Sequence, residues 1–85
     1  MLHDLKIWPE QFAALKSGAK RHEIRAFDRP YAVGDTLRLR EYNPNTKTFS
    51  GDLVDVRITH ITAPGTFGLP GSVGAMSIAL ATEFQ

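Results

Sequence analysis

Residues 5–25 read LKIWPEQFAALKSGAKRHEIR, and their reading decides the fold. Leu5 and Ile7 alternate with Lys6, so Leu2 to Ile7 reads as a short first strand. Pro9 stands where a first helical residue tolerates proline, because that N–H has no partner anyway. Glu10 suits the positive end of a helix, and Trp8, Phe12 and Leu15 are spaced to make one apolar face. Lys16 lies in the last turn and Gly18 follows as a C-terminal cap, which predicts a helix over 9–17. Residues 20–26 then read as extended. Their parity puts His22 and Ile24 on one side and Arg21, Glu23 and Arg25 on the other.

Working outward, Asp28-Arg29-Pro30 and Val33-Gly34-Asp35 punctuate a loop. Thr36 to Tyr42 alternates, with Leu37 and Leu39 facing a core and Arg38, Arg40 and Tyr42 facing away. Asn43 to Thr46 is a turn, and Thr48-Phe49 starts the return arm of a hairpin. Leu53 to Thr62 reads as a long strand and Ala63 to Gly74 as a Gly/Pro loop. Met76, Ile78 and Leu80 mark a last strand. One early helix followed by strands predicts an α+β fold: a curled, barrel-like sheet of about five or six strands, mostly antiparallel, with one short helix near the N-terminus.

Eighty-five residues make one domain, expected to span 1–85. The 42% hydrophobic and 22% charged content fits a globular chain and not a disordered one. With no cysteine, there is no disulfide, no thiolate ligand and no cysteine nucleophile. No apolar run reaches membrane-span length and the start lacks an apolar signal core, so a soluble cytoplasmic protein is expected, with no membrane partner.

The net charge of +1 is unevenly spread. Residues 16–40 carry Lys16, Lys20, Arg21, Arg25, Arg29, Arg38 and Arg40 against Glu23, Asp28 and Asp35, a local net of +4. That segment is a candidate anion or nucleic-acid face, the bland alternative being a solvated rim. Lys20 suits phosphate as a point charge, and Arg25 offers a planar fork for phosphate or a base edge. Glu23 can hold Arg25 or accept from a base. Arg38, Arg40 and Tyr42 can hold a strand and stack a base, or simply face solvent. Trp8 is expected to pack as a lid over the junction of helix and barrel, with base stacking as the alternative. His22 is expected at the edge of the core. His3, His22 and His60 fall on separate strands without ligand spacing, so neither a metal nor a cofactor is expected.

Gly18 to Arg25 matches the pattern GxKxxExR, and the match extends through Leu5-Lys6-Ile7-Trp8-Pro9-Glu10, Phe12, Ser17-Gly18, Asp28-Arg29 and the run from Val33-Gly34-Asp35 to Pro44. In this the chain resembles the ASCH domains, a branch of the PUA-like superfamily, and within them a small phage and bacterial sub-group of unknown function. The resemblance implies a PUA-like pseudo-β-barrel with a cleft beside the first helix, and RNA, a nucleotide or a nucleoside as ligand. The residues themselves make Lys20, Glu23 and Arg25 the expected lining of such a cleft, with Arg21, Trp8, Arg38, Arg40 and Tyr42 as further candidate binding residues. One ASCH enzyme is an amidohydrolase of acylated cytidine that uses a Lys, a Thr three residues later and a distant Glu. Lys20 matches the first, but Glu23 stands in place of the Thr. The expectation therefore leans away from an enzyme and towards a binding module. The alternatives are a small hydrolase of RNA or a modified nucleoside, with Lys20 catalytic, and a phage-type factor with a protein partner.

Overall fold

The computed structural model describes residues 1–80. In chain order the elements are β1 (Leu2–Ile7), α1 (Pro9–Ser17), β2 (His22–Ala26), β3 (Thr36–Asn43), β4 (Thr48–Thr62) and β5 (Val73–Leu80). They form one five-stranded sheet in the order β1-β3-β4-β5-β2. The β3–β4, β4–β5 and β2–β5 pairs are antiparallel. β1 lies parallel to β3, with Leu5 opposite Leu39. This parallel pair is reached over a long connection that contains α1 and β2, so it needs no second helix.

The helix occupies the residues its capping signals mark. Gly18 ends it in the left-handed region (φ 84°), donating its N–H to the Leu15 carbonyl at 3.1 Å. The Lys20 N–H reaches back to the Ala14 carbonyl at 3.0 Å, which fixes the direction in which the chain leaves. Phe12 and Leu15 are buried against the sheet. The core is Leu5, Ile7, Phe12, Leu15, Leu37, Leu39, Val56, Ile58, Met76 and Ile78, drawn from every element except β2.

Two irregularities curl the sheet. β4 bulges around Gly51 (φ 95°), between the Arg40–Leu53 and Tyr42–Phe49 pairs, and again between Ile58 and His60. The second bulge resets parity, so that Ile58 and Ile61 both turn inward. Curling brings the two edge strands, β1 and β2, to face each other across an open seam. No ladder closes the seam; a side chain spans it, with Arg25 Nη2 donating to the Lys6 carbonyl at 2.8 Å. The result is a half-barrel with one short helix and, among the described residues, no helix long and apolar enough to cross a membrane.

The parity at residues 21–25 is as expected, but the face assignment is reversed. His22 is exposed and Ile24 is 56% exposed, while Glu23 is buried. His22 is therefore not a core-edge residue. The inward side of β2 looks onto the seam, where the Glu23 carboxylate meets two charged partners, Lys20 and Arg25. Trp8 is likewise no lid: 62% of it is exposed. Two further polar groups join the interior. His3 is buried in phase with Leu5 and Ile7, and its Nε2 lies 2.8 Å from Asp35 Oδ2. The Tyr31 ring packs 4.7 Å from the His3 ring.

Candidate functional site: the seam between the edge strands

The seam opens into a cleft of about 400 Å³ whose walls include Lys6, Trp8, Gln11, Lys20, Glu23 and Arg25. Each arrives by a simple local route. β1 delivers Lys6 on its free edge and Trp8 at its end, α1 delivers Gln11, and the fixed exit at Gly18 delivers Lys20. On β2, Glu23 and Arg25 are two residues apart and so share a face.

Glu23 organises the wall. Only 3% of it is exposed. Lys20 Nζ donates to its Oε1 at 2.6 Å, and Arg25 Nε donates to its Oε2 at 2.8 Å. A carboxylate so placed is costly unless both oxygens are engaged with positive donors, and here they are. One anion between two cations leaves the wall net positive. Arg25 also holds the Lys6 carbonyl, so its guanidinium is fixed at two ends. Lys20 retains two further N–H donors on its ammonium group.

The other sequence-predicted residues lie elsewhere. Arg21 borders a small recess with Leu15 and Ile78 rather than the cleft. Arg38 and Arg40 face outward but are tied to acids on neighbouring strands. Arg38 makes a two-pronged pair with Asp55, Nε to Oδ1 and Nη2 to Oδ2, both 3.0 Å. Arg40 Nε donates to Asp4 Oδ1 at 2.7 Å. These contacts hold the Asp55 and Asp4 carboxyls below the usual range and push the Arg38 guanidinium up. Tyr42 packs edge-on to Phe49 at 5.0 Å, and the Lys6 ammonium sits 4.4 Å over its ring. Lys6 thus connects the aromatic pair to the cleft. Lys20, Glu23, Arg25 and Trp8 are brought together; Arg21, Arg38, Arg40 and Tyr42 are not.

Sequence reasoning missed Lys6, Gln11 and His22, which also line the cleft. Their membership depends on β1 and β2 becoming opposed edges, and nothing local in either segment signals that. Among the described residues no three His, Asp or Glu side chains converge to hold a metal ion.

The family model of a domain of unknown function, DUF3850, matches residues 2–78, and the chain belongs to that family. The chain is also similar to an uncharacterized 12.9 kDa protein in the GpA 3′ region of Escherichia phage P2, with 39% identity over 61 residues. That alignment covers 72% of this chain and 54% of the phage protein, so the chain spans about half the length of the curated relative it matches.

Proposed function

We propose that this DUF3850 chain is an ASCH-type domain of the PUA-like superfamily that binds RNA or a nucleotide, in the cytoplasm, through the cleft between β1 and β2. One observation carries the reading: the buried Glu23 carboxylate is clamped between Lys20 at 2.6 Å and Arg25 at 2.8 Å on the cleft wall. Two flexible cations held in advance lose little freedom when an anion arrives, so less of the binding energy is spent on ordering them. The excess positive charge selects an anion, and the exposed indole of Trp8 on the same cleft supplies a surface for a base. Phosphate and base together describe a nucleotide. Both Glu23 oxygens are engaged with cations, so in this reading Glu23 is a clamp and not a catalytic base.

The test is an NMR shift-perturbation screen with nucleosides, nucleotides and short oligonucleotides at low salt. The expected outcome is a response at Trp8 and at residues 20–25, with phosphorylated ligands preferred over nucleosides. Lys20→Ala removes a charge-assisted bond and is expected to weaken nucleotide binding by about 10-fold or more. No response to any of these ligands overturns the proposal.

A further inference from the structure

Trp8 and Gln11 border the basic cleft and also a second cleft on their other side. The second cleft has a volume of about 600 Å³, and its far wall is the β3–β4 turn at Asn43, Pro44 and Asn45. Trp8 and Gln11 are therefore a ridge between two hollows, and Trp8 stands 62% exposed on it.

The two hollows differ in charge. The first carries Lys20 and Arg25 against Glu23. In the second, Glu10 is the one charged wall residue among the described residues. A phosphate is favoured in the first hollow and repelled from the second. The rest of the second hollow is Trp8, two prolines, Gln11, Asn43 and Asn45; the Asn43 amide oxygen is taken up by the turn, which leaves the Gln11 and Asn45 amides to a ligand. A primary amide presents a donor and an acceptor side by side, the pattern that pairs with the edge of a nucleobase. The turn that carries Asn45 is held in place: Asn43 Oδ1 accepts from the Asn45 N–H at 2.9 Å and the Thr46 N–H at 3.4 Å. Asn45 is exposed on that fixed turn.

We infer that the second cleft is a base subsite for the neighbouring nucleotide of a single strand, which crosses Trp8 with its phosphate on the Lys20–Arg25 side and its next base between Gln11 and Asn45. This deepens the reading of the first cleft as a nucleotide site and rests on it. The ligand is then at least a dinucleotide, and a free mononucleotide fills half the site.

Trp8 is the single tryptophan of the chain, so intrinsic fluorescence reports on the ridge directly. Three ribonucleotide probes are titrated: a 5′-mononucleotide, the matching nucleoside 3′,5′-bisphosphate, and the matching 5′-phosphorylated dinucleotide. The bisphosphate supplies a second phosphate without a second base. The expected result is that the dinucleotide binds at least 10-fold more tightly than the mononucleotide and more tightly than the bisphosphate. Asn45→Ala is expected to lose most of the dinucleotide's gain and to leave mononucleotide affinity unchanged. The Asn45 backbone N–H keeps its bond to Asn43 in that variant, so the turn survives. A dinucleotide no better than the bisphosphate, or an equal loss for both ligands in Asn45→Ala, overturns the second subsite while leaving the first cleft's role intact. No binding of any probe overturns both.

Discussion

Asp35 ends the loop into β3 as a buried acceptor for three donors: the His3 ring at 2.8 Å, the Ala32 N–H at 3.1 Å and the Met1 ammonium at 3.2 Å. The His3 bond, with help from the other two, holds its carboxyl below the usual range. A carboxyl whose folded value is depressed stabilises the fold fully above its unfolded value, near pH 4, and loses that contribution as pH falls through the folded value. Asp35→Asn is therefore expected to lower the urea midpoint at pH 7 and to flatten the decline of stability on the acid side, below about pH 4. Equal acid-side slopes for the variant and the parent protein would show that Asp35 does not contribute. None of this was legible in the sequence. His3 sits in phase with Leu5 and Ile7, but its partner is 32 residues away and only the β1–β3 pairing joins them. Glu23 teaches the same lesson from the other direction. Period-two alternation sorts side chains into two groups but does not say which group is inside. At β2 the usual rule, that aliphatics go in, fails because the inside is a charged seam.

Among the elements, those governed by local chemistry were readable. α1 runs over the residues that Pro9 and Gly18 delimit, and β3 follows the alternation from Thr36 onward. The hairpin's return arm does start at Thr48-Phe49, and it continues through the Gly51 bulge into the strand expected from Leu53, so the two are one element, because pairing with Tyr42 and Asn43 holds the polar first arm in the sheet. β5 starts at Val73, inside what composition marked as loop. Gly74 explains that misreading: it is a packing glycine, not a turn glycine. A Cβ there would lie 2.6 Å from Phe27 Cε1 and 2.7 Å from Cζ. The Phe27 ring has little room to yield, since it packs edge-on to Tyr31 at 5.1 Å. Gly74→Ala overpacks this contact and is expected to cost about 1–3 kcal/mol, read from urea unfolding. Adding Phe27→Leu frees space at the same point, so the double variant is expected to be more stable than the two single costs add up to. Strict additivity would place the Gly74 penalty somewhere other than this ring.

For the molecule as a whole, the sheet order decides how much of the charge reaches the ligand. Composition marked seven cations between residues 16 and 40 as one basic face. The fold divides them. Arg38 and Arg40 go to the outer face and pair with Asp55 and Asp4, while Lys20 and Arg25 go to the seam, and the Lys6 ammonium lies over Tyr42 at its border. Two or three phosphate contacts are thus available in the cleft, not seven. Each releases counterions equivalent to a log–log salt slope of about −0.7 on a single strand, so the affinity for a short oligonucleotide is expected to fall with a slope of about −1.4 to −2. Lys20→Ala is expected to make that slope shallower by about 0.7, and Arg38→Ala to leave it unchanged. The contrast between these two variants separates the seam from the outer face in a way that affinity alone does not, because any lost cation weakens binding somewhat through the general field. A slope near zero would mean that uncharged contacts around Trp8 carry the recognition. A slope that responds to Arg38 and not to Lys20 would move the strand onto the outer face of β1, β3 and β4, and the seam would lose its claim to be the site.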